Sequence, residues 1–223
     1  MTALLLLLFV IVGVTLAIIG LKILRNLFTN FRPSEHKVQA DIRKMREEIA
    51  PFTDQLVPLD SQELELFSLN QLNQSLKKGI TTTAKGVYTS IYQEPLVAYA
   101  YKRYLGGHAL LYARTATREI VYKIGPKNTQ VAINQEFYGS IKGNTLYSDS
   151  KGRKALAQMN RNTQELALPV LVGDREIAMI NATVDAATPQ PRAFRYVQKN
   201  ISESEEQAFL TLAILNMVER VVE

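Results

Sequence analysis

One stretch near the C-terminus constrains the fold more than any other: AFLTLAILNMV, Ala208 to Val218, in which nine of eleven residues are apolar. At about 3.6 residues per turn, those nine fall on every side of a helix and leave no face for water. The run is too short to cross a bilayer, which needs about 20 residues. It must therefore be enclosed, and a sheet rolled into a barrel supplies an enclosure. A partner protein or a membrane covering the segment is the rival explanation. The start of the helix is well marked. Ser202-x-x-Glu205 and Ser204-x-x-Gln207 are overlapping capping-box patterns. Glu203, Glu205 and Glu206 stand where the helix dipole favours negative charge. These signals predict a helix over 202–222.

The chain before this helix reads as strands. In Val97–Tyr104 the residues alternate, and Gly106-Gly107 makes a turn into Ala109–Arg114. A phosphate-binding reading of Leu105-Gly106-Gly107-His108 needs a helix next, and a strand pattern follows instead. Further strands are predicted over 119–124, 129–133, 136–141, 145–148, 155–160, 169–172, 176–181 and 194–198, separated by Gly125-Pro126, Gly143-Asn144, Lys151-Gly152 and Gly173-Asp174. Many short, closely spaced strands predict an antiparallel sandwich or barrel over 79–223. An internal echo supports a barrel of similar hairpins. VAINQEFYGSI, from Val131, and VLVGDREIAMI, from Val170, share one pattern at an offset of 170 − 131 = 39 residues.

Two helical segments are predicted ahead of the strands. Within 33–50, Val38, Ile42, Met45 and Ile49 form a narrow stripe after the N-cap candidate Ser34, with Pro51 as the stop. The stripe reads either as a juxtamembrane seam for self-association or as a connector packed on the globular body, and two heptads favour the connector. A connecting segment over 51–78 is predicted to be partly helical, because Leu66, Leu69, Leu72 and Leu76 share a helical face and Lys77-Lys78-Gly79 resembles a helix end.

The N-terminus carries its own signal. Thr2 to Leu21 holds no charge, and twenty helical residues rise about 30 Å, the thickness of a bilayer core. The run is too long for a signal peptide, and no small-x-small cleavage site follows. The expectation is a retained single-pass transmembrane helix over 2–24. Lys22, Arg25, Arg32 and Lys37 follow it, which by the positive-inside rule places the globular part in the cytoplasm.

Three sequence pieces near the end, in order, resemble a known family: the hairpin GDREIAMI, the strand AFRYVQ and the helix SEEQAFLTLAILNMV. A many-stranded antiparallel barrel closed around a C-terminal hydrophobic helix is similar to the tubby-like superfamily, which includes the phospholipid scramblases. The resemblance covers roughly residues 80–223 and implies a barrel that binds or moves phospholipid. Scramblase-type proteins carry cysteine-rich and proline-rich segments, whereas this chain has no Cys. The phosphoinositide-binding basic pair of tubby proteins finds no aligned counterpart here, so no residue role is transferred.

Chemistry-bearing residues are sparse. Without Cys, and with only His36 and His108, thiolate metal sites, cysteine nucleophiles and His-rich metal sites are excluded. No nucleophile elbow, zinc-protease motif, Walker loop or dinucleotide fingerprint is present, so no catalytic, cofactor or metal residue is assigned. Tyrosines beside basic residues suit base stacking, but aromatic residues in strands are first a sheet signal, which disfavours a nucleic-acid partner. Charge is the remaining clue. Residues 71–161 carry 14 basic and 4 acidic groups, a net +10, while 162–223 carry 5 and 9, a net −4. That basic middle suits anionic phospholipid head groups, with Lys102, Arg103, Lys151, Arg153 and Lys154 as candidate contacts. The sequence thus points to a membrane-anchored, cytoplasm-facing binding or scaffolding module. A scramblase-like phospholipid handler is the alternative, and an enzyme of unrecognised type the remote one.

Overall fold

A computed structural model describes residues 11–22, 31, 33–79, 81–160, 167–181 and 191–223. Twelve strands, β1 to β12, form one sheet in which each strand pairs with its sequence neighbours. They are β1 (Phe67–Lys77), β2 (Thr82–Ser90), β3 (Pro95–Arg103), β4 (Ala109–Arg114), β5 (Glu119–Ile124) and β6 (Thr129–Ile133). The meander continues through β7 (Glu136–Lys142), β8 (Thr145–Tyr147), β9 (Ala155–Met159), β10 (Ala167–Val172), β11 (Arg175–Asn181) and β12 (Phe194–Val197). The sheet curls until its ends meet. The Leu69 N–H donates to the Pro191 carbonyl at 2.9 Å, and the Ala193 N–H to the Phe67 carbonyl at 2.8 Å. The result is a nearly closed antiparallel barrel, which leaves little unpaired edge.

Helices α1 (Glu35–Thr53), α2 (Ser61–Leu66) and α3 (Glu203–Val222) pack with it. The closing helix α3 occupies the barrel interior, and every residue from Ala208 to Val218 is buried. Its capping box is formed: the Ser202 hydroxyl accepts from the Glu205 N–H, and the Glu205 carboxylate accepts from the Ser202 N–H at 2.7 Å. The two polar residues of the apolar run fare differently. The Thr211 hydroxyl donates back to the Gln207 carbonyl at 2.7 Å, whereas Asn216 finds no such partner for its carbonyl oxygen. From the wall, the buried Tyr122 hydroxyl donates to the Thr211 carbonyl at 2.9 Å. Burying each large apolar side chain of this helix contributes roughly 1.5–3 kcal/mol, an upper figure because the unfolded chain is itself partly collapsed.

Strand β3 shows why parts of the sheet read as nearly continuous apolar runs. Val97, Tyr99 and Tyr101 face the interior with α3, while Ala98 and Ala100 face outward into a second cluster. That cluster is covered by α1, whose Val38, Ile42, Met45 and Ile49 are all buried against it. The connector reading of the stripe therefore describes its packing, and its apolar surface is covered within the chain. Pro51 does not stop α1. It lies in the last turn, where its missing N–H forfeits a single hydrogen bond, and the helix ends at Thr53.

The larger correction concerns 67–78. Its leucines have helical spacing, but the segment is strand β1, paired along its length with β2, and the barrel begins at Phe67. Register shifts between Phe67 and Gln71 and between Leu72 and Ser75, with Asn73 at φ +53°, interrupt the two-residue alternation. The four leucines share no face, and Leu72 and Leu76 are exposed. Only α2 remains of the predicted helix there.

The internal echo has a structural counterpart. Hairpins β6–β7 and β10–β11 carry the same bulge at the same place. Val131 pairs with Gly139 and Ala132 with Phe137, skipping Tyr138. Val170 pairs with Ala178 and Leu171 with Glu176, skipping Ile177, each position 39 residues later (178 − 139 = 176 − 137 = 39). At both sites the small residue, Gly139 or Ala178, sits beside the bulge. At Gly139 an added Cβ would collide with the Tyr147 carbonyl oxygen.

Candidate functional site

The meander gives the barrel two unlike ends. One end, the rim, carries the β1–β2, β3–β4, β5–β6 and β7–β8 turns and the C-terminal end of α3. The opposite end carries the β2–β3, β4–β5, β6–β7, β8–β9 and β10–β11 turns and the start of α3, where Arg118 pairs with Glu203 and Glu206. The start of α1 belongs to the rim, because Glu35 pairs with Lys123 at 2.6 Å near the end of β5. So does the chain just before α1. The β3–β4 turn is tight, with Gly106 and Gly107 at φ +81° and +77°, and a Cβ on Gly106 would lie 2.6 Å from the Phe31 carbonyl oxygen. The leading segment thus leaves the barrel at the rim. Residues 11–22 of that segment are helical and exposed, including Ile11, Leu16, Ile18 and Leu21. Residues 2–10 and 23–24 of the expected span lie outside the described ones. Among the described residues, no helix is long and apolar enough to cross a membrane.

The five cations singled out in the sequence do not form one patch. Lys102 and Arg103 are neighbours in β3 and so point to opposite faces of the sheet. Lys102 lies under α1, with its Nζ 2.8 Å from both carboxylate oxygens of Asp41. The Tyr104 hydroxyl also donates to Asp41, at 2.7 Å, and burial first, then Asp41, raises its pKa. Lys37 lies 6.0 Å from the Tyr104 ring centre, and burial first, then Lys102, lowers its pKa. On the other face, the Arg103 Nε–H donates to the Tyr101 hydroxyl at 3.2 Å. Lys151, Arg153 and Lys154 lie elsewhere, in the β8–β9 loop, which is tied to β7 by a hydrogen bond from the Ser140 hydroxyl to the Asp149 carbonyl. There Asp149 accepts from the Gly152 and Arg153 N–H groups and from the Arg153 guanidinium at 2.8 Å. The guanidinium bond first, then the Arg153 backbone bond, holds the Asp149 pKa at about 2. Lys151 and Lys154 are exposed.

Lys102 belongs instead to a groove of about 400 Å³ between α1 and the β1–β2 hairpin. Lys44, Lys77, Lys85 and Lys102 line it, with hydroxyls from Ser75, Thr81 and Thr83, against two carboxylates, Asp41 and Glu48. Sequence reading missed Lys77 and Lys85, because reading 59–78 as helix hid the hairpin that aims them at α1. Around the rim lie Lys37, Lys77, Lys78, Lys102, Arg103 and Lys127. At the opposite end Glu94, Glu136, Asp149, Asp174, Glu203, Glu205 and Glu206 occupy the turns and the helix start, offset by Arg118, Arg175 and, in the β8–β9 loop, Lys151, Arg153 and Lys154.

A second opening lies in the rim itself. A cavity of about 210 Å³ reaches from the β5–β6 and β7–β8 turns down the side of α3, between that helix and the wall. Met159, Leu212 and Leu215 contribute apolar surface, and Asn216 lines it with a buried Oδ1 that has no hydrogen-bond partner. Leaving such an acceptor unpaired costs about 1–3 kcal/mol unless something in the cavity donates to it.

Among the described residues, no group of three or more His, Asp or Glu side chains is placed to hold a metal ion. Fold and site together define a class: a nearly closed antiparallel barrel filled by its own last helix, with a basic rim at the end where the leading segment departs. Comparison with known protein families, with curated proteins and with solved structures returns no match to this chain.

Proposed function

We infer that this chain is a single-pass membrane protein that holds a binding or scaffolding barrel against the cytoplasmic face of a bilayer, its basic rim on anionic phospholipid head groups. The observation that carries the reading is the exit of the leading segment beside Gly106, on the rim that also bears Lys77, Lys78 and Lys127. An uncharged run of Thr2 to Leu21 anchored in a bilayer leaves only the short stretch before α1 between membrane and barrel, so the rim faces the lipid surface. Each Lys or Arg near such a surface contributes about 1 kcal/mol. The opposite end, where acidic and basic groups are mixed, then points away from the lipid. The likeness to the tubby-like superfamily is in keeping with a lipid-facing role. Phospholipid handling is the second reading, favoured by the rim cavity that opens beside α3.

Co-sedimentation of residues 33–223 with phosphatidylcholine vesicles, with and without phosphatidylserine, tests the inference. Binding is expected only with the anionic lipid. Replacing Lys77, Lys78 and Lys127 with Gln removes about 3 kcal/mol, on the order of a 100-fold loss. The same change at Lys151, Arg153 and Lys154, in the β8–β9 loop away from the rim, has a smaller effect. Equal losses from the two triplets, or no dependence on phosphatidylserine, would contradict a lipid-facing rim.

A further inference from the structure

We propose that the rim cavity beside Asn216 is a binding site for a neutral polyhydroxyl group, such as a single sugar or glycerol unit. The buried run of the helix it borders is otherwise apolar, and its other polar side chain, Thr211, is satisfied by the Gln207 carbonyl. Asn216 is left with a buried acceptor, and that residue lines a cavity. With a water's share of liquid volume at about 30 Å³, the space of about 210 Å³ is worth roughly seven waters. That is room for a small head group and too little for a whole lipid.

The lining selects the chemistry. Asn128 and Asn144 bring two more carboxamides to the mouth, from the β5–β6 and β7–β8 turns. A carboxamide both donates and accepts, as a hydroxyl does, so three of them match a group with several hydroxyls better than a purely accepting anion. Lys127 and Glu219 stand at the same mouth with opposite charge, so it presents no net charge to attract either ion. The apolar patch of Met159, Leu212 and Leu215 suits the C–H face of such a ligand. The site is distinct from the lysine groove, which lies outside the wall under α1. In the bilayer-facing arrangement inferred above, on which the lipid source rests, the ligand is the head group of a glycolipid or acylglycerol. A free sugar carries the same chemistry.

Full-length protein in phosphatidylcholine nanodiscs separates these sources. One arm measures saturation transfer to free methyl glucoside, and the other the thermal shift when the discs contain monoglucosyl diacylglycerol. Binding is expected in at least one arm, and about tenfold weaker in Asn216→Leu, the loss of one good hydrogen bond. The leucine removes the orphaned acceptor at similar size, so the variant is expected to melt no lower than the wild type. Binding of the free sugar without the glycolipid supports the site and counts against the bilayer-facing rim. Binding in neither arm, or equal binding by Asn216→Leu, overturns the site, while co-sedimentation with phosphatidylserine stands or falls separately.

Discussion

Replacing Phe209 with Ala tests whether the enclosed helix holds the barrel shut. Phe209 is 0% exposed, and its ring meets Phe194 of β12 edge-on at 4.9 Å. Phe194 in turn lies 5.4 Å from Phe67 of β1, and Phe67 lies 6.0 Å from Tyr88 of β2. This aromatic chain runs from the helix across the place where the first and last strands meet. Truncating a buried Phe costs about 3–5 kcal/mol through lost transfer energy and the cavity left behind. In a body of this size each kcal/mol moves the melting temperature by about 2–4 °C, so a drop of roughly 6–20 °C is expected. Urea unfolding of residues 33–223, followed by circular dichroism, gives the free energy directly. Phe137→Ala is the control, because Phe137 is 55% exposed and its loss is worth no more than about 0.5 kcal/mol. If the two variants unfold at the same urea concentration, the helix is not the centre of the core.

Two further outcomes follow from the ion pairs. Arg46 of α1 grips Glu119 through two hydrogen bonds, at 2.7 and 3.2 Å, while the Tyr112 hydroxyl donates to the same carboxylate. A double-mutant cycle of Arg46→Ala and Glu119→Gln is expected to give a coupling of about 1–2 kcal/mol, discounted because Arg46 is 45% exposed; zero coupling would detach α1 from this contact. For Asp149, a native pKa held at about 2, below the ordinary 3.8, means stability present above pH 3.8 and lost as pH falls through 2. A carboxyl titration followed by NMR is expected to find that low value and to see it return toward 3.8 in Arg153→Gln, whereas an unchanged value would deny the contact.

Much of the fold was legible because its signals were redundant. The closing helix announced itself twice, by Ser202 and Glu205 at its start and by apolar residues all round, and both features reappear in the structure. The hairpins after Ala109 were marked by turn residues such as Gly143-Asn144 and Gly173-Asp174, whose glycines take the positive φ values, +58° and +59°, that a tight hairpin turn needs. Strand β1 was not legible, because leucines spaced by three and four residues mimic a helix when bulges break the alternation. The site was harder still. Charge can be summed from sequence, but Lys102 meeting Asp41 across 61 residues depends on where α1 lies. Lys77 and Lys85 join the same groove only once β1 is a strand.

The orientation proposed above puts the basic rim against a bilayer and the opposite end away from it. The absence of cysteine makes this directly measurable, since a single introduced cysteine labels one place. Lys127→Cys on the rim and Asp174→Cys in the β10–β11 turn are both exposed positions, separated by the length of the barrel. Each is labelled with a fluorophore in the full chain, reconstituted in vesicles that carry a quencher on the lipid head groups. Strong quenching at position 127 and little at 174 is the expected result. Equal quenching at both, or the reverse order, would contradict the claim.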